Sequence, residues 1–256
     1  MNKGLELKNI SKIYQDNNGE TLAIQNFNYQ FANGEFTSLL GPSGCGKSTL
    51  LSIIAGLESP SSGKVFLDGI DITNKASNIG YMLQKDYLLE WRTILQNVLF
   101  GLEIKNILTE ETINYAKKLL TTYGLAEFMH KYPSQLSGGM RQRAALIRTL
   151  ATKPDILLLD EAFSALDYQT RLAVSSDVYG IIKSEKKTAI MVTHDIPEAI
   201  SMSDTIVVLS SRPSNIKKIH HLIFDVENRD PINCREHPNF RKYFDTIWKE
   251  LNTNDK

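Results

Sequence analysis

The sequence predicts an α/β fold with a mixed sheet core, a small antiparallel β subdomain and an inserted helical lobe, and three observations predict it. Residues 36–40 form a short apolar run that leads straight into Gly41-Pro42-Ser43-Gly44-Cys45-Gly46-Lys47-Ser48-Thr49, after which Leu50, Leu51, Ile53, Ile54 and Leu57 fall at helical spacing. Residues 156–159, 188–192 and 205–209 are further apolar or β-branched runs with helical segments between them, the pattern of parallel strands buried on both faces. From Trp91 to about Ala151 the pattern turns polar and helical, which predicts a lobe inserted into the α/β order.

The remaining elements follow in order. Residues 5–14 alternate as in a half-buried strand, and 27–31 do the same before the turn at Asn33 and Gly34. Residues 64–67 and 70–72 flank Asp68-Gly69, a two-residue hairpin signal that places an antiparallel piece early in the chain. Helical patterning covers 110–126 and resumes after Gly138. After Ser210 order is expected to fade into a tail of about 45 residues, shorter than a usual domain. The expected division is 1–215 for the main domain, with the lobe at about 91–151, and 216–256 for the tail.

At 256 residues, 42% apolar and 23% charged, the chain suits a packed domain and not disorder. Lys plus Arg and Asp plus Glu are 29 each, so no bulk charge favours nucleic acid or anionic lipid. The most basic stretch, 212–221, reads as a solvated loop after a strand. Cys45 and Cys234 are far apart and one lies in a glycine-rich loop, so reduced thiols in a cytoplasm are expected. No window reaches the roughly 18 apolar residues of a membrane span. The expectation is a cytosolic chain unless a partner holds it at a membrane.

Gly41 to Ser48 matches G-x-x-x-x-G-K-[ST] between a strand and a helix, the context that motif requires. Its glycines let backbone N–H groups turn inward around phosphate oxygens, and the helix adds its positive end. Lys47 is expected to reach the β- and γ-phosphates and Ser48 to offer a hydroxyl to Mg²⁺. The Cys45 side chain is expected to approach the nucleotide, making it an alkylation target that ATP protects. Leu158-Leu159-Asp160-Glu161 ends a buried strand with two carboxylates, Asp160 for Mg²⁺ and Glu161 for the attacking water. His194 follows residues 188–193 in the same way, suited to a γ-phosphate contact, and Gln84 is a candidate for Mg²⁺ or the water. Leu136-Ser137-Gly138-Gly139-Met140-Arg141-Gln142-Arg143 opens a second helix, with Ser137, Gly138 and Gly139 forming a second anion site. A helical lobe separates that site from Lys47, so a second copy of the chain would bring them onto one phosphate.

Taken together, these segments resemble the nucleotide-binding subunit of ATP-binding cassette importers, a P-loop NTPase, over about residues 4–215. The resemblance implies that 41–49 is the Walker A loop, Gln84 the Q-loop glutamine, 136–143 the signature and 156–160 Walker B. It makes Glu161 the catalytic glutamate, Ser164 to Asp167 the D-loop, His194 the switch histidine and Tyr14 the residue stacked on adenine. It implies ATP and Mg²⁺ as cofactors, and two ATPs held between two ATPase subunits, most simply a homodimer. Transmembrane permease subunits would sit near residues 84–91, a solute-binding protein would take part indirectly, and the chain would lie peripherally at the cytoplasmic face of the membrane. The run Leu88-Leu89-Glu90-Trp91-Arg92-Thr93 resembles importers of nitrate, sulfonates, taurine and thiamine precursors, with Glu90 where that group often has Pro. Rival readings are an exporter ATPase, which shares the catalytic residues, and an ATPase acting on DNA or ribosomes, for which no coiled coil, zinc cysteines or tandem cassette is visible.

Overall fold

In chain order the elements are β1 (Gly4–Asp16), β2 (Gly19–Ala32), β3 (Phe36–Leu40), α1 (Lys47–Ile54), β4 (Ser62–Leu67), β5 (Ile70–Asp71), β6 (Ile79–Met82), α2 (Ile94–Ile104), α3 (Glu110–Thr122), α4 (Gly138–Ala151), β7 (Ile156–Asp160), α5 (Tyr168–Ser184), β8 (Thr188–Thr193), α6 (Ile196–Met202), β9 (Thr205–Leu209), β10 (Ile216–His221), α7 (Pro231–Glu236) and α8 (Pro238–Asn252). The computed structural model describes residues 4–16, 19–75, 78–226 and 229–253, so both ends of the expected domain division lie outside the described residues. The chain divides into two compact units, Met1–Ser77 with Lys186–Lys256, and Asn78–Glu185.

In the first unit, an antiparallel sheet runs β2-β1-β4-β5. Its β4–β5 hairpin turns at Asp68 (φ 50°) and Gly69 (φ 84°), both left-handed as a two-residue primed turn demands. A second set of strands has β3 between parallel β8 and β9, with β10 antiparallel to β9 at the edge. Every residue of β3, β8 and β9 is buried, which is why these runs show no apolar–polar alternation and admit only small hydroxyl side chains, Thr37, Ser38, Thr188, Thr193 and Thr205, among the apolar ones.

The chain after Ser210 does not lose its order, contrary to expectation. Strand β10 extends the sheet, and α8 sinks Ile247 into a cluster with Leu40, Ile200, Ile206, Val208 and Leu222. Phe240, Tyr243, Phe244 and Leu251 flank that cluster, so the apolar residues of α8 recur every three or four positions on one face. The tail folds because it completes a core it does not own. His220 Nε2 at 2.7 Å from Glu250 Oε2, and Lys217 Nζ donating to Thr253 O at 2.8 Å, fasten the helix to the edge strand.

In the second unit β6 and β7 pair in parallel, accompanied by α2, α3, α4 and α5. Capping boxes start α2 (Thr93 with Gln96) and α3 (Thr109 with Thr112). Helix α4 buries Ala144, Ala145, Leu146, Ile147 and Leu150. It also lies so close to β6 that a Cβ on Gly80 would come within 2.5 Å of Thr149 Cγ2. That approach places the strands in the same unit as the helices and makes the unit wider than the 91–151 lobe read from the sequence.

Candidate functional site

In the first unit, Leu40 of β3 pairs in register with Thr193 of β8, so the glycine loop and His194 leave neighbouring parallel strands at the same level. Residues 42–45 make a turn closed by Cys45 N donating to Pro42 O at 3.3 Å, with Gly44 at φ 73° in the position where only a residue tolerant of positive φ is unstrained. Gly46 (φ 108°) then starts α1 without a side-chain cap. A Cβ there would meet Ala23 O and Ile24 Cγ1 at 3.3 Å, so the glycine also admits the β2 backbone. Lys47 is 6% exposed, and its Nζ donates to Gly41 O at 2.7 Å and Pro42 O at 2.8 Å, which holds the ammonium inside the loop. Ser48 is exposed and Thr49 half-buried.

Cys45 departs from expectation. It is 1% exposed, with Sγ packed beside Gly41 and 3.9 Å from Lys47 Nζ, so its thiol is shut off from solvent. Burial pushes its thiol above the ordinary range, against the pull of Lys47. A buried neutral thiol is a poor alkylation target, and only its N–H remains a candidate for the nucleotide.

Tyr14, at the end of β1, is 39% exposed and its hydroxyl lies 3.1 Å from Thr49 Oγ1 and donates to Glu58 at 2.8 Å. Lys12 Nζ stands 5.0 Å over its ring. His194 is exposed at the β8 exit, where Asp195 caps α6 through Glu198 N at 2.9 Å. The first unit thus gathers Tyr14, residues 41–49 and His194.

The second unit repeats the logic of strand ends. Met82 of β6 pairs with Leu159 of β7, so Gln84 and Asp160-Glu161 exit together. Tyr81 Oη donates to Asp160 Oδ2 at 3.0 Å. Gln84 Nε2 donates to Ser164 Oγ at 3.0 Å, and that hydroxyl donates to Glu161 O at 2.9 Å. Glu161 itself is left-handed (φ 46°), a strain of order 1 kcal/mol for a side chain of this type, stored where two carboxylates must turn off the strand.

Ser137 caps α4, its hydroxyl accepting from Met140 N at 3.3 Å, and both Ser137 and Gly138 are exposed. Gly139 is buried because a Cβ there would stand 2.8 Å from Val174 Cγ2 of α5. One turn on, Arg141 forks onto Asp86 (Nε at 3.0 Å, Nη2 at 3.2 Å) and reaches Glu90 at 2.6 Å. Arg148 donates to the Asp86 and Tyr87 carbonyls at 2.7 Å each. Burial raises Asp86, but the bonds from Arg141 and Leu88 N–H outweigh it and leave its carboxyl below the ordinary range. Asp167 caps α5 through Thr170 N at 3.0 Å, and hydrogen bonds from Thr170 hold it low as well.

A family model described as ABC transporter matches residues 24–164, more than half of the chain. The chain belongs to the ABC transporter family. It is 49% identical over 252 residues to an uncharacterized ABC transporter ATP-binding protein, YtlC, of Bacillus subtilis, covering 98% of this chain and 97% of that one. It is 37% identical to the nitrate import ATP-binding protein NrtD of Synechocystis, covering 95% and 93%. Among solved structures, the dimeric ATP-binding cassette MJ0796 bound to ADP and Pi matches with a TM-score of 0.72 at 32% identity, over 86% of this chain and 99% of that one. The fold is the ABC ATPase fold and the chain is a nucleotide-binding ATPase. Among its described residues no helix is long and apolar enough to cross a membrane.

Four contacts of this ABC ATPase were not legible in the sequence: in the second unit Tyr81 on Asp160 and Arg141 and Arg148 on the 86–90 segment, and in the first unit Arg212, which donates to Gly44 O from Nε at 3.2 Å and Nη2 at 2.7 Å. Only Arg141 carried a signal, its place one turn after an exposed helix start. The others depend on chain segments distant in sequence.

Proposed function

We propose that this ATPase powers uptake of a small anion or organic solute, in the class of nitrate, sulfonates, taurine or a thiamine precursor, by closing as a dimer on two ATP molecules beneath a membrane permease. Backbone N–H groups of 41–49 and the Lys47 ammonium hold the β- and γ-phosphates, and Tyr14 stacks on adenine. Glu161 takes the proton of the attacking water, which Gln84 helps to place, His194 meets the γ-phosphate, and Asp167 of the D-loop contributes to the nucleotide site. Ser137, Gly138 and Gly139 act on the ATP held by the other copy.

Ser48, Asp160 and Gln84 offer a hydroxyl, a carboxylate and an amide oxygen, and Tyr81 already orients the Asp160 carboxylate. That hard-oxygen set fits Mg²⁺, which takes few protein ligands beside phosphate and water. When bound, Mg²⁺ would neutralise charge developing on the phosphates.

The observation that carries this reading is the exposed start of α4: a capped helix with Ser137 and Gly138 turned to solvent, beside an 86–90 segment pinned to the same helix by Arg141. Tyr87 (59% exposed) and Trp91 (74% exposed) give that segment an apolar face for permease subunits at the cytoplasmic side of the membrane. The class of solute rests on the importer relatives, nitrate and sulfonate among them, at 37–38% identity. Co-purification with two hydrophobic permease subunits from native membranes tests the reading. Recovery with DNA or ribosomes instead would overturn it.

A further inference from the structure

The turn after β9 lies against the glycine loop. It is braced on both sides: Ser210 N donates to Asn215 O at 2.9 Å, Ser214 N to Ala23 O at 2.8 Å, and Gln25 N to Ser214 O at 3.1 Å. Ser210 Oγ adds a bond to Pro213 O at 3.2 Å and accepts from Asn215 N at 3.0 Å. From this rigid base Arg212 sends two guanidinium N–H groups to one acceptor, the Gly44 carbonyl, at 3.2 and 2.7 Å.

The Gly44–Cys45 peptide is trans and planar, so its C=O and N–H point in opposite directions. The N–H end already shows where it points: Cys45 N donates to Pro42 O, the same oxygen that receives the Lys47 ammonium at 2.8 Å. One end of the peptide therefore faces the loop interior beside Lys47, and the other faces Arg212. Gly44 has no Cβ and a φ of 73°, so little in its own backbone would resist rotation of this peptide.

We propose that Arg212 is a positioning residue for the nucleotide: by holding the Gly44 carbonyl outward it keeps the Cys45 N–H aimed into the phosphate cradle. This rests on reading 41–49 as that cradle. Arg212 touches no phosphate in this account. It removes a conformational choice that the loop would otherwise resolve when nucleotide binds, so its contribution appears in affinity and not in the chemical step.

The test is titration of the full-length chain with a fluorescent ADP, at about 50 and about 500 mM NaCl, the higher of which screens charges beyond a few ångströms. Arg212→Ala is expected to weaken ADP about tenfold, equally at both salts, the size of one lost charge-assisted bond. Its kcat at saturating ATP should stay within about twofold of the parent, and Arg212→Lys, with one donor group for two, should fall between. Arg212 is exposed, so the alanine variant should melt with the parent in the absence of nucleotide; if it does not, the lysine variant, which keeps the stem, decides. Parental ADP affinity in Arg212→Ala alongside weakened binding in Lys47→Ala would overturn the inference. So would a loss that vanishes at high salt, the mark of charge acting on phosphate directly. If Lys47→Ala binds ADP as the parent does, the reading of the loop fails and the inference with it.

Discussion

The loop at residues 41–49 and the segment at 137–141 both bring backbone N–H groups to the start of a helix, yet one is folded in on itself and the other is turned outward. The first has its cation buried within it, Lys47 at 6% exposure on the loop's own carbonyls, and a left-handed glycine cap. The second has an exposed serine cap, and its nearest arginine is committed to Asp86 and Glu90. A loop that carries its own counter-charge can bind an anion alone. A helix start without one serves best where another surface supplies the anion, which is what a site shared between two copies requires.

Loss of the buried lysine should separate the two most sharply. Lys47→Ala should weaken ATP and ADP by about a hundredfold or more in a titration of the single chain, since it deletes a charge-assisted contact to phosphate. Ser137→Ala should leave that titration unchanged while costing about 1 kcal/mol of folding stability as a lost cap. Equal loss of affinity in both variants would erase the distinction.

Next in size is Asp86→Ala, which leaves Arg141 with only Glu90 and should cost about 1–3 kcal/mol in chemical denaturation, with nucleotide affinity retained. Glu161→Gly should abolish most ATP turnover yet stabilise the fold by roughly 0.5–1 kcal/mol, because glycine relieves the left-handed strain. A destabilised glycine variant would show that the positive φ is not strained.

The smallest effect is one of pH, and the two regions should respond in opposite directions. Cys45 has a folded pKa raised above its ordinary 9.0, so its contribution is whole below that value and declines as pH rises through it; Cys45→Ala should flatten the alkaline fall in melting temperature. Asp86 has a folded pKa below its ordinary 3.8, so its contribution is present above 3.8 and is lost as pH falls through the folded value; Asp86→Asn should flatten the acid fall.

What the sequence made legible follows the same division. Strands β3, β7, β8 and β9 were readable because each is a short, mostly apolar run, and three of them lead straight into a distinctive exit: the glycine loop after β3, Asp160-Glu161 at the end of β7 and His194 after β8. Asp68-Gly69 was readable because two left-handed residues in a row leave few candidates. The tail was not, although Phe240, Phe244, Ile247 and Leu251 hold helical spacing, because its core partners Leu40, Ile206 and Val208 lie far away in sequence. The inward turn of Cys45 was equally hidden, since the glycine-loop motif constrains backbone and says nothing of where a side chain at that position packs. Arg212 escaped for a related reason: a loop arginine acquires a role only when the fold brings a carbonyl to it.

If each ATP is held by the loop of one copy and the exposed helix start of another, two variants that are inactive alone should complement each other when mixed. Lys47→Ala and a Ser137→Arg variant that obstructs the helix start should each be inactive as pure dimers. Mixed in equal amounts they should regain roughly a quarter of parental ATP turnover, because about half the closed two-fold dimers are mixed and each of these holds one intact site. A mixture no more active than either variant alone would contradict the shared site.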